Sequence, residues 1–227
     1  MSAQRRPRFA ALARLFRYPG DDYAADAEAL ARRFAAEGSA AAEALAELVA
    51  YARTVSGDEL AETYTRTFDL NPACAPEIGW HLFGEEYVRG LFLVRLRQEL
   101  RRHGLEETGE LPDHVVHVLA VMGAMDEPAA RELARACVCP AVGKMLAALD
   151  KGPGPQPLRP LVAALAELLL EEFALPRSAL EASEESSDPG ARSADRLHAA
   201  PCGGCAAQAV VPLAVERAAD GQNEEYV

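Results

Sequence analysis

The run GELPDHVVH at residues 109–117 carries Glu110, Asp113, His114 and His117 within nine positions. Such side chains ligate metals or move protons. On a helix, His114 and His117 stand at i and i+3 and share a face. A zinc site needs three or four protein ligands, however, and no HExxH or Glu-x-x-His pair elsewhere completes one. The same residues read as a helix start. Pro112 suits a first turn, where its missing N–H is not needed, and Asp113 meets the positive end of the helix dipole, worth about 0.3–1 kcal/mol. The second candidate is Cys202-Gly203-Gly204-Cys205, a CxxC of the kind that binds zinc or exchanges disulfides, with His198 as a further ligand. It follows a polar stretch, not a strand, and no second CxxC accompanies it. Cys137 and Cys139, two apart on a helix, point to nearly opposite sides. No G-x-S-x-G, phosphate-binding loop or dinucleotide fingerprint appears. The acidic pairs Glu85-Glu86 and Glu171-Glu172 read as solvated helix faces. The residues point to binding, with no enzyme activity, cofactor or metal expected.

Helices must position these groups. To residue 176 the chain is dominated by Ala, Leu, Glu and Arg, without strand-like alternation. Helices are predicted over 8–17 (with Phe9, Leu12, Ala13 and Phe16 on one face), 22–36 and 40–55, the last with Ser39 as N-cap. Ser56 and Glu59 form a capping box opening a helix that runs to Arg66. Residues 69–83, with two prolines and a glycine, read as an irregular connection. Further helices are expected over 85–103, 112–124, 128–137, 140–150 and 158–174, with Asp126 capping one of them. Without an internal repeat, the expectation is an all-α bundle: one helical domain over 1–176, then a flexible acidic tail over 177–227 holding the CxxC.

The charge narrows the partners. A net charge of −12 argues against nucleic acid, which demands a basic face. Residues 181–227 hold nine acids and three bases, so half of that charge belongs to the tail. No apolar run is long enough to cross a bilayer. Arg5-Arg6 hints at a twin-arginine signal, but Arg14 and Arg17 interrupt the apolar region that would follow. A cytoplasmic protein with reduced thiols is expected.

Three segments in order resemble one family. Tyr64-Thr65-Arg66-Thr67-Phe68-Asp69-Leu70 is similar to the Y-x-x-x-FDL run of the NarJ-type assembly chaperones of nitrate reductase. Gly84-Glu85-Glu86-Tyr87-Val88-Arg89-Gly90 resembles their G-D-x-x-x-R-G stretch, and Glu110-Leu111-Pro112-Asp113-His114 their E-L-P-D-H motif. Leu15-Phe16-Arg17-Tyr18-Pro19 fits their L-x-x-Y-P opening. The resemblance covers roughly residues 8–175. It departs where Glu85 replaces Asp, where Phe83 stands in a position often held by His (His81 lies two earlier), and where Val116 replaces Pro.

The resemblance implies a TorD-like all-helical fold. It also implies a chaperone that binds the N-terminal leader and apo form of a molybdopterin oxidoreductase catalytic subunit, assists molybdenum cofactor insertion, and meets cofactor-insertion proteins. The implied partner-binding surface comprises Tyr64, Phe68, Asp69, Leu70, Trp80, Phe83, Glu85, Arg89, Glu110, Pro112, Asp113 and His114. A leader is basic at its start and apolar afterwards, which an apolar groove edged by Glu85, Glu110 and Asp113 would complement. Two alternatives stay open: a helical scaffold or regulatory subunit retained in a mature redox complex, and a thiol or zinc protein using Cys202 and Cys205.

Overall fold

A computed structural model describes residues 2–181. Cys202, Cys205, His198 and nearly all of the predicted tail lie outside the described residues. Helices run over Ser2–Leu15 (α1), Tyr23–Glu37 (α2), Ala41–Ala52 (α3), Gly57–Tyr64 (α4), Ile78–Phe83 (α5), Tyr87–Arg102 (α6), Val115–Ala124 (α7), Glu127–Leu133 (α8), Cys139–Lys151 (α9) and Arg159–Glu172 (α10). No strand occurs among the described residues. The all-α expectation holds.

Apolar spacing explains the packing. α7 is apolar all round, VVHVLAVMGA, and is buried along most of its length, as such a helix must be. α1 lies against it and buries Phe9, Leu12 and Ala13, with Phe16 buried just past its end, the predicted face. α10 buries Leu161, Val162, Leu165 and Leu169 between α3 and α9. Several boundaries follow from caps read correctly in the sequence. Ser56 Oγ accepts the Glu59 N–H at 3.2 Å, and Asp126 Oδ1 accepts the Ala129 N–H at 2.9 Å. Gly38, with φ 69°, closes α2 in the left-handed conformation that glycine adopts without strain.

Four features depart from the sequence reading. First, α1 begins at Ser2 and carries Pro7 inside it. Two of its basic residues are buried, Arg5 and Arg8: Arg5 is 1% exposed, donates to the Met125 carbonyl and lies over the Phe173 ring. Arg8 lies 5.0 Å over Phe34 and pairs with Glu37, Glu171 and Glu172. Glu171-Glu172 therefore forms the far half of an inter-helix charge cluster and not a solvated face. Ser39 serves that cluster too, donating to Glu171 Oε2 at 2.6 Å; the residue preceding α3 is Ala40.

Second, residues 69–83 are not irregular. They hold the last residue of a π-helical turn over Thr65–Asp69, a 3-10 turn over Pro72–Cys74, and α5. Third, α8 and α9 are one continuous run through a π-turn at Ala134–Val138. Pro140 at the start of α9 cannot donate to the carbonyl four residues back, and the wider turn accommodates the gap. Fourth, packing continues past 176. A 3-10 turn over Arg177–Leu180 lies against α9, where a Cβ on Gly143 would collide with the Leu180 carbonyl. Among the described residues, no helix is long and apolar enough to cross a membrane.

Candidate functional site

Two distant turns are stitched together by backbone. The Ile78 N–H donates to the Asp113 carbonyl at 2.8 Å, and the Val115 N–H to the Pro76 carbonyl at 2.9 Å. Glu77 and His114 thereby form an antiparallel bridge. The start of α5 and the start of α7 are thus fixed against each other, and the GELPDHVVH run is locked in place.

The helix start in that run differs from the sequence reading. α7 begins at Val115, and His114 is its N-cap, with Nδ1 accepting the Val116 N–H at 3.2 Å. That bond fixes the proton on Nε2. Burial, with His117 and Arg17 nearby, holds the His114 ring down to about 4, so it is neutral near pH 7. His117 is fixed the other way: Nδ1 donates to the Leu111 carbonyl at 2.9 Å, and Nε2 accepts the Thr108 N–H at 3.0 Å. The two histidines therefore do different work and do not converge on a metal.

Asp113 is not a first-turn residue on the surface. It is fully buried, and Arg89 Nε donates to its Oδ2 at 3.0 Å. Arg89 in turn stacks 5.6 Å from the centre of the Trp80 ring, and Trp80 Nε1 donates to the Pro72 carbonyl at 2.8 Å. Burial pushes the Asp113 carboxyl up, against the downward pull of Arg89; Oδ1 has no hydrogen-bond partner. Gly79 makes room for this carboxylate, since a Cβ there would lie 2.5 Å from Oδ2 and 3.0 Å from Phe92. Gly79→Ala is expected to destabilise the fold by about 2 kcal/mol. Thermal melts would read this as a midpoint roughly 5 °C lower; an unchanged midpoint would mean that α5 shifts freely.

Beside this cluster opens a pocket of about 340 Å³, lined by Tyr18, Tyr64, Phe68, Asp69, Ala75, Pro76, Glu77, Glu110 and His114. The Tyr64 hydroxyl donates to the Phe16 carbonyl at 2.8 Å, tying α4 to the end of α1. Its ring meets Tyr18 at 5.7 Å and Phe68 at 5.0 Å, both edge-on. The π-turn after α4 leaves Phe68 buried and Asp69 exposed on its far side. Asp69, Glu110 and Glu77 all push the Tyr64 hydroxyl up, after burial. The same crowding raises the Glu77 carboxyl, led by burial and then by Asp113 and Glu110, with Arg89 opposing. Among the described residues none of the three pocket acids forms an ion pair. The result is a concave surface with aromatic walls and a negative rim whose acids form no ion pair among the described residues.

Of the sequence-expected residues, Tyr64, Phe68, Asp69, Glu110 and His114 meet in the pocket. The half-buried Trp80 and Arg89 and the buried Asp113 form the cluster next to it. Phe83 is buried against Phe92 at 5.5 Å, Pro112 is buried, and Leu70 and Glu85 are exposed outside the pocket lining. Asp113 cannot edge a groove. Tyr18 and Glu77 were missed as site residues. Tyr18 carried a signal, because Pro19-Gly20 ends the helical run just after it; Glu77 carried none.

Among the described residues no group of three or more His, Cys, Asp or Glu could hold a metal ion. Cys74, Cys137 and Cys139 are buried, and burial pushes the Cys139 thiol up to about 12, away from the reactive thiolate. A family model described as nitrate reductase delta subunit matches residues 33–151, more than half of the chain. The chain matches no curated protein. The matched span contains every pocket residue except Tyr18.

Proposed function

Since the chain belongs to the nitrate reductase delta subunit family, we propose that it is a chaperone that holds the N-terminal leader of a molybdopterin oxidoreductase catalytic subunit in the cytoplasm while molybdenum cofactor is inserted. Family membership supports a maturation role in general; leader binding is the finer reading. The observation that carries it is the acidic, aromatic-walled pocket. It joins Tyr18 at the end of α1, the Tyr64–Asp69 run and the Glu110–His114 turn, three segments far apart in the chain. Unpaired carboxylates over aromatic faces suit the ammonium or guanidinium of a basic leader. The apolar part of the leader would lie along Tyr18, which is 62% exposed.

The test is calorimetric titration of the full chain with the leader peptide of the client. Asp69 and Glu110 are exposed, so the Asp69→Lys/Glu110→Lys double variant should fold normally. It is expected to bind about tenfold or more weakly, and parent binding should weaken with salt. Trp80, the chain's one tryptophan, gives a fluorescence reading of the neighbouring cluster. Equal affinity of parent and double variant would remove the pocket from the binding surface. Co-purification with active, finished enzyme would instead favour a retained scaffold subunit.

A further inference from the structure

Helix α6 leaves an apolar stripe in solvent. Tyr87, Leu91 and Val94 are 81%, 37% and 49% exposed, and their i, i+4, i+7 spacing puts them on one face. Gly90, Gln98 and Arg101 continue that face and are exposed as well. Gly90 is informative. A glycine inside a helix costs about 1 kcal/mol against alanine, yet a Cβ at this position would meet nothing within 4 Å. Among the described residues, nothing in the packing asks for a residue so small.

The two ends of the stripe carry opposite charge. Glu85 and Glu86 are exposed at its N-terminal end and Arg101 at its C-terminal end, and none of the three forms an ion pair among the described residues. From 86 to 101 the helix rises roughly 22 Å at 1.5 Å per residue. That is about two Debye lengths at 0.1 M salt, so each end presents its own sign.

We propose that this face pairs with the same face of a second copy, the two α6 helices running antiparallel about a twofold axis near Val94. In that register Tyr87 lies opposite Arg101, Glu86 opposite Arg102, and Gly90 opposite Gln98. The symmetry brings acidic end to basic end twice. The guanidinium of Arg101 covers a Tyr87 ring that is otherwise bare, and the Gln98 side chain enters the gap over Gly90. A parallel arrangement would set Arg101 against Arg101 and is disfavoured. One helix pair is a small interface, so the dimer forms and separates with concentration.

Sedimentation velocity of the full chain over a dilution series tests this. The parent is expected to show a reversible monomer–dimer equilibrium. Glu86→Arg and Arg102→Glu should each weaken the dimer about tenfold, and the double reversal should restore it; Arg101→Ala should weaken it by uncovering the Tyr87 ring. Leu91→Glu should abolish it with helical content unchanged by circular dichroism. A photo-reactive residue at position 87 should cross-link to the Arg101 region of another chain. A monomer at every concentration would overturn the proposal, as would single reversals without effect. Cross-links confined to residues 182–227 of the same chain, or formed to a different protein, would assign the face to another occupant and overturn it too.

Discussion

The Asp113→Ala protein is expected to unfold roughly 10 °C below the parent, a loss of about 4 kcal/mol. Asp113 is fully buried and accepts from Arg89, whose side chain is only 20% exposed. Removing the carboxylate leaves a guanidinium stacked on Trp80 without its counter-charge, and a hole beside Gly79. Asp113→Asn keeps the shape and one acceptor and should cost less. Replacing both partners, as Asp113→Leu with Arg89→Met, should recover part of the loss, because an apolar pair removes the buried charge altogether. Urea unfolding of the four proteins measures the series. A single Asp113→Ala change costing under about 0.5 kcal/mol, the scale of ordinary surface substitutions, would show that this carboxylate is solvated. Asp113 variants are therefore poor probes of peptide binding, whereas Asp69 and Glu110 are clean ones.

Acidification should release a second large effect through His114. Its ring is held down to about 4 in the folded chain, against about 6.5 when unfolded. The unfolded state binds the extra proton first, so the stabilisation is complete above pH 6.5 and is lost as pH falls toward 4, by about 3 kcal/mol in all. Protonation must also convert Nδ1 from acceptor to donor, which breaks the cap on Val116. His114→Asn retains a capping acceptor and cannot titrate. Its stability should therefore hold up better between pH 6.5 and 4 than the parent's. His81 is depressed in the same direction by burial, and Glu77 and Asp113 are displaced the opposite way; all three are present in both proteins and largely cancel in the comparison. Parallel pH profiles for parent and variant would remove His114 as the source.

Where periodicity and caps agreed, the sequence was a sufficient guide: the α1 face, the span of α2 to within a residue, and the caps Ser56 and Asp126 all lie as expected. Buried charge was not legible. Arg5, Arg8 and Glu172 look like surface residues in any pattern that counts apolar positions, since their partners lie more than a hundred residues away. The start of α5 was hidden because Pro72, Pro76 and Gly79 mimic a loop, although Gly79 is there for a carboxylate and not for a turn. Asp113 and His114 carried the opposite disguise. Both suit a solvated helix start, and only the backbone bridge to Pro76 and Ile78 encloses them. The pocket was half legible, through motif residues that met there and a Glu77 that nothing announced.

The Arg8 cluster also sets a clock. Arg8 leaves the ribosome 163 and 164 residues ahead of Glu171 and Glu172, which at about 5–20 residues per second is roughly ten to thirty seconds of synthesis. Throughout that interval α1 has its arginines without their last carboxylates, and the apolar face meant for α7 has no cover until α7 is made. The bundle cannot close in the order it is written. It closes late, when α10 arrives and is tied back to α1, so a protein whose family membership points to work on unfinished enzymes spends its own early life unfinished.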